Sequence, residues 1–213
     1  SQSGYGEQTR FALKAFKSRP DLFDVYIQPR PWGNTGWVWE DSKLRQWMDQ
    51  RVTQTVIAIQ GKTLHPDVSL QVTIPNEWVK MAPVNVGYTA GIETTKVSPQ
   101  WLPKGNEMDN IIVVSNHSKE VYQNTVAMAT NQQTGEQAPY KLNTEIEVVN
   151  FGVKETTAEP IEDLNLDLDF NFLFISQWSP RKNMENTIQW WIEEFIDQEV
   201  GLVVKTNLAN NSL

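Results

Sequence analysis

Cysteine is absent from this 213-residue chain, and histidine occurs only twice, at His65 and His117. The first absence excludes disulfides and thiolate metal sites, and the second leaves too few imidazoles for a multi-histidine metal centre. Long apolar runs are missing too. No stretch approaches the roughly eighteen consecutive apolar residues that a membrane span requires, and the first residues do not follow a secretory pattern. The expectation is a cytoplasmic protein with no transmembrane segment. Positive charge is in deficit, with 18 Lys and Arg against 26 Asp and Glu and a formal net charge of −8. A non-specific nucleic-acid binder needs a basic face, so nucleic acid is not an expected partner.

What is present is a chain able to build a core. Hydrophobic residues make up 39%, enough to exclude a disordered chain, and the length allows one large domain or two small ones. Nine tryptophans stand out; Trp32, Trp37 and Trp39 cluster in one Gly- and Pro-containing loop, while Trp190 and Trp191 fall in the last helical pattern. Two readings fit them: packing in core and interfaces, or stacking on a sugar ring or a base.

Strand and helix patterns alternate along the chain. Glu7 to Lys17 keeps helical spacing through Phe11, Ala12, Ala15 and Phe16, and Glu40 to about Gln60 reads as a second helix. Asp24 to Gln28, Ser69 to Pro75, Val84 to Thr89, Asn110 to Ser115 and Glu145 to Phe151 read as strands. A helix is expected to open at Ser118 as N-cap and run to Val126. Residues 127–145 break the rhythm, with Thr134-Gly135 as a hairpin tip or a loop. After Gly152 comes an acidic linker, Lys154 to Leu166. Phe172-Leu-Phe-Ile-Ser-Gln-Trp-Ser-Pro-Arg-Lys-Asn-Met184, an amphipathic segment and Val200 to Thr206 then read as strand, basic turn, helix, strand. Such alternation implies a mostly parallel sheet flanked by helices, a Rossmann-like α/β fold. The expected division is 1–157 and 158–213, and one βαβ unit is too little for a complete doubly wound second domain.

Several residues stand where chemistry would be placed. Gly4-Tyr5-Gly6, at a helix entrance, lets backbone approach a phosphate or sugar closely. Thr89 and Ser115 end strands, and Glu93 directly follows a buried-looking one; ligands of open parallel sheets bind beyond strand carboxyl ends. Glu93 is thus the candidate catalytic carboxylate, the competing reading being a backbone cap or a solvent-facing charge. Arg181 and Lys182 precede a helix N-terminus, where amides and dipole already favour an anion, and Lys205 ends the next parallel strand. Asp167-Leu-Asp169 has the form of a metal-binding Asp-x-Asp, but it precedes a strand inside an acidic stretch and reads as a solvated turn.

Taken in order, these pieces resemble the GT-B fold glycosyltransferases, in particular glycosyltransferase family four. The matching segments are Ser3-Gly-Tyr-Gly6, Tyr88-Thr-Ala-Gly-Ile-Glu-Thr94 with Pro99-Gln-Trp101, and Met108-Asp-Asn-Ile-Ile-Val-Val-Ser115 with Lys119. Val148-Val-Asn-Phe-Gly-Val153, the Phe172 to Met184 segment and Leu202-Val-Val-Lys-Thr206 complete the set, with 127–145 as an insertion. The resemblance implies two Rossmann-like domains across a cleft, the acceptor side first and the nucleotide-sugar side second. It implies transfer of a sugar from a nucleotide diphosphate donor to a sugar or glycan acceptor, retaining and without an obligatory metal or other cofactor. Lys182 carries over as the group that stabilises the leaving diphosphate, and Gly4 and Gly6 as the turn that approaches the donor phosphates. Gln177 stands near the family's usual arginine, and Thr89-Ala90 occupies the neighbourhood of its frequent histidine. The first strand of domain one and the family's later pair of glutamates have no counterpart, so the chain reads as a truncated copy expected to lack turnover alone.

Two other classes compete. One is a non-catalytic carbohydrate- or nucleotide-binding module using the Trp32 to Trp39 loop. The other is an assembly protein that pairs as a homo-oligomer through the exposed sheet edges of an unfinished second domain.

Overall fold

A computed structural model describes residues 3–30, 40–130, 132–153, 155–162 and 164–207. Their contacts divide the chain into two compact units, the larger containing 3–30 and 40–153 and the smaller containing 155–207.

The larger unit opens with α1, Gly4–Lys17, capped by the Ser3 side chain, which accepts from the Gly6 amide at 3.1 Å. The helix therefore begins earlier than the apolar spacing suggests, and Gly4-Tyr5-Gly6 is its first turn rather than a loop before it. Ser3 is the reason, because a serine cap satisfies one of the orphan amides that would otherwise fray that turn. The expected strand at Asp24–Gln28 is absent. The segment alternates half-buried and exposed residues as a strand would, but no ladder joins it; Ile27 donates its backbone N–H to Thr55 Oγ1 at 2.8 Å instead. Helix α2, Lys43–Gln60, starts at Ser42, whose hydroxyl accepts from Arg45 N.

Strands β1 (Val68–Val72), β2 (Val84–Tyr88) and β3 (Asn110–Val113) follow, with a one-turn 3-10 helix at Pro75–Glu77 between the first two. A short helix that the sequence pattern does not announce, α3 (Trp101–Asn106), lies between β2 and β3. Helix α4, Asn116–Asn124, is capped by Ser115 and not by Ser118, which sits buried inside its first turn. Strands β4 (Val126–Thr130) and β5 (Gln137–Lys141) form an antiparallel hairpin with Gly135 at φ +74°. Strand β6 (Ile146–Val148) closes the unit. The sheet order is β1-β2-β3-β6, every pair parallel.

Trp78, Leu102, Ile111, Val113, Tyr122 and Ile146 are the centre of the core, with Ala127 and Tyr140 of the hairpin packed against it. Gly87 makes room for this: a Cβ there would fall 2.6 Å from the Trp78 indole, so the strand gives up a side chain to seat the ring. At the amino end of the strands, the buried Asn85 carboxamide accepts from Met81 N, Ala82 N and the Ser69 hydroxyl, and Asp109 accepts from Asn85 N at 2.7 Å.

In the smaller unit, β7 (Asn171–Gln177) leads through a 3-10 turn at Pro180–Lys182 into α5 (Met184–Phe195), and β8 (Gly201–Asn207) pairs parallel with β7. This is the strand, basic turn, helix, strand order read from the sequence. Phe172 rests 5.0 Å from the Phe195 ring and 6.3 Å from that of Trp191, so α5 covers the Phe172 face of the two strands. The chain is thus mixed α/β, with a mostly parallel sheet and flanking helices, compatible with a Rossmann-like arrangement. No helix among the described residues is long and apolar enough to cross a membrane.

Candidate ligand site at the carboxyl edge of the parallel sheet

The first turn of α1 is fastened to the carboxyl end of β2 by polar groups. The Tyr5 hydroxyl lies 2.9 Å from Thr89 Oγ1 and accepts from the Ala90 amide at 3.3 Å. One turn on, the buried Gln8 side chain donates through Nε2 to the Thr89 carbonyl at 3.2 Å. Thr89 is itself buried, and its amide donates to the Ile112 carbonyl at 3.1 Å. A threonine at this position therefore joins two strands and a helix, which is the work of a keystone beneath a site rather than of its lining.

A second fastening lies beside the first. Ser115, half-buried at the carboxyl end of β3, accepts from Ser118 N at 3.1 Å, and its hydroxyl is 3.0 Å from that of Ser118. Ser118 Oγ in turn accepts from the Ile92 amide at 3.2 Å. Glu93, the next residue, is exposed on the loop that this bond anchors. The amino ends of α1 and α4 are thus both tied to residues following β2, and both dipoles favour negative charge there. Gly4 faces open space, where an added Cβ would meet no atom within 4 Å, so no local packing demands glycine.

Gln8 Oε1 and the Tyr122 hydroxyl are among five buried polar atoms of the described residues of this unit that have no hydrogen-bond partner, with Arg51 Nε, Trp78 Nε1 and Asn110 Oδ1. Burial drives the Tyr122 phenol well above its ordinary value of 10.0, and the proximity of Tyr5 adds to the shift. The sequence puts Thr89, Glu93 and Ser115 at strand ends and Gly4-Tyr5-Gly6 at a helix entrance, without joining the two sets; it gives Ser118 only as an N-cap and does not single out Gln8. The only signal for Gln8 was a polar residue on an otherwise apolar helical face.

In the smaller unit, Arg181 and Lys182 are exposed in the 3-10 turn after β7. Asn183 then takes a left-handed φ of 52° and opens α5, its carbonyl accepting from Thr187 N at 3.0 Å. Lys205 stands opposite Ile175 in register, two residues before β8 ends, and is exposed. Asp167 and Asp169 lie in an exposed bend before β7, and the tryptophan loop at Trp32 to Trp39 lies outside the described residues. Two open concavities are found, one in each unit. One is of about 470 Å³ against Trp178, Ile188 and Ile192, the other of about 290 Å³ beside Tyr26 and Arg51.

Comparison of the chain with family models, curated proteins and solved structures yields no match.

Proposed function

We propose that this chain belongs to a GT-B type sugar transferase that uses a nucleotide diphosphate sugar as donor. The observation that carries the reading is the seating of the α1 first turn on the carboxyl end of β2 through Tyr5, Gln8 and Thr89. Open parallel sheets bind ligands at that end, and a helix N-terminus fastened there brings backbone amides and a positive dipole to it. The smaller unit adds a second fitting feature, a basic turn directly before a helix. In this reading the leaving diphosphate takes its charge stabilisation from Lys182, Arg181 and the α5 amino end. Glu93, exposed on the loop held by Ser118, is assigned to the reacting sugar, and the transfer retains configuration.

The test is calorimetric titration of the purified chain with UDP, GDP and ADP, beside a Lys182→Ala variant. The reading expects at least one diphosphate to bind. Loss of a charge-assisted contact in the variant is expected to weaken that binding by about tenfold or more. Binding that is the same in both proteins removes Lys182 from the donor site, and absence of binding to all three nucleotides sinks the reading.

A further inference from the structure

The segment Asp24–Gln28 alternates like a strand without joining a ladder, and its alternate side chains have another use. Its backbone is held against α2 by the bond from Ile27 N to the buried Thr55 hydroxyl. Asp24 and Tyr26, two residues apart, line the concavity of about 290 Å³ together with Arg51, Gln54 and Ala58 of α2. Those three are spaced i, i+3, i+7, which puts them on one face of the helix. Arg51 Nη1 ties the two sides, donating to Asp24 Oδ1 at 3.1 Å and to Gln54 Oε1 at 3.0 Å. The guanidinium in turn lies 5.9 Å from the centre of the Trp47 ring. The end wall is made at some backbone cost. Lys62, just past α2, takes a left-handed φ of 54° where glycine is usual, and Thr63 is folded back so that its amide donates to the Ala58 carbonyl at 2.9 Å. Thr63 and Ile57, the latter 63% exposed, complete the lining.

Stability is a poor account of this cluster. Exposed ion pairs contribute little to folding, Asp24 keeps 69% of its side chain in solvent, and a left-handed lysine is a cost. What the arrangement does supply is hydrogen-bonding groups fixed against one another beside an aromatic ring. Its two charged lining residues are paired, so a lone anion meets the Asp24 carboxylate and a lone cation the Arg51 guanidinium. A neutral ligand with adjacent hydroxyls meets neither penalty. Each hydroxyl both donates and accepts, so neighbouring ones can give to Asp24 and take from Gln54 Nε2 or Arg51. Carbon-bound hydrogens of the same ligand can rest on the Tyr26 ring and on Ile57. We infer that this concavity binds one neutral sugar ring, free or at the end of a glycan. Its volume stands at the lower end of the ~300–1,000 Å³ usual for small-molecule sites, which suits a single ring. The site stands apart from the sugar-transferase reading: its ligand carries no phosphate, and none of its residues has a role there.

Amide NMR spectra of the isotopically labelled whole chain, titrated separately with the methyl glycosides of glucose, mannose, galactose and N-acetylglucosamine, are the experiment. At least one glycoside is expected to shift the amides of residues 24–27, 51–58 and 63 saturably. Half-saturation is expected on the order of millimolar, as for a single ring held by a few hydrogen bonds. Gln54→Ala, at an exposed helix position that suits alanine, is expected to weaken this binding about fivefold or more, and so is Tyr26→Ala. Sodium phosphate and glycine are expected to leave the same amides in place. A titration in which none of the four glycosides moves these amides overturns the inference, as does affinity unchanged in both variants. So does an equal shift with phosphate or glycine, which would make the concavity an anion or zwitterion site. A glycoside response centred on Thr89 or Lys182 overturns it too, because sugar then binds elsewhere. Glycoside shifts here without any response to UDP, GDP or ADP would support this site while sinking the transferase reading.

Discussion

Thr89 commits its amide to Ile112 of β3 and its carbonyl and hydroxyl to Gln8 and Tyr5 of α1, so its partners come from two distant parts of the chain. Buried polar groups of this kind are tolerated because they are paired. Tyr122 is the contrasting case, a fully buried phenol whose hydroxyl has no partner. Removing that oxygen removes a desolvation cost without removing a hydrogen bond. Tyr122→Phe is therefore expected to be neutral or to stabilise the fold by up to about 1 kcal/mol at pH 7, measured by urea denaturation. The pH dependence has a definite sign. The folded phenol holds its proton far above 10.0, whereas the unfolded one loses it near that value. The stability that the neutral phenol contributes is whole below pH 10 and falls as pH rises further. The parent should lose stability between pH 9.5 and 11 relative to Tyr122→Phe, and parallel curves for the two proteins would refute the assignment. None of this was legible in the sequence. Gln8 and Tyr122 acquire their roles only from burial, and Gln8 meets its partner 81 residues away.

Elements were legible where local chemistry decides them. The β7–α5–β8 unit follows from a strand run, a Pro-containing turn and an amphipathic helix in immediate succession, whereas Thr134-Gly135 marked a turn but left hairpin and loop both open, and the structure makes it the β4–β5 hairpin. The apparent strand at Asp24–Gln28 has the alternation but no partner, and alternation cannot supply one. Helix α3 was hidden because Pro103 and Gly105 read as breakers; burial of Leu102 and Gly105 against the core overrides that preference. At the start of α4, serine appears twice in four residues, and pattern alone favoured Ser118 over Ser115. The structure distinguishes them by role, Ser115 capping the helix and Ser118 holding the Glu93 loop through Ile92. Ser115→Ala should cost about 1 kcal/mol, the ordinary worth of an N-cap. Ser118→Ala should instead raise amide exchange at Ile92 specifically. Equal exchange at Ile92 in both proteins would show that the loop is held by something else.

At the scale of the whole molecule, residues 155–170 form neither helix nor strand in the described portion and are exposed throughout it. Such an exposed, irregular stretch, where the chain enters the smaller unit, is where a protease gains access first. Limited digestion with a glutamate-specific protease is expected to cut at Glu155, Glu159 or Glu162 before any site in 40–150, as read by intact-mass spectrometry. Early cleavage at Glu107 or Glu120 instead would mean that the larger unit opens more readily than its packing implies. Charge has a similar partition. Residues 154–213 carry eleven acidic and four basic side chains, so most of the net −8 resides there, while the cations of interest gather at one turn.

The strand order β1-β2-β3-β6 has a bearing on how the chain is made. Each new strand of that sheet lies against the one synthesised before it, so none must be threaded between two already in place. A nascent chain can zip the sheet together in the direction in which it leaves the ribosome. Helix α1 is the exception: the contacts of Tyr5 and Gln8 reach forward to Thr89, so this helix waits for β2 before it can settle. The proposed ligand site is therefore assembled from a helix and a strand made much later, and a translation product interrupted before β2 would have the helix but nowhere to seat it.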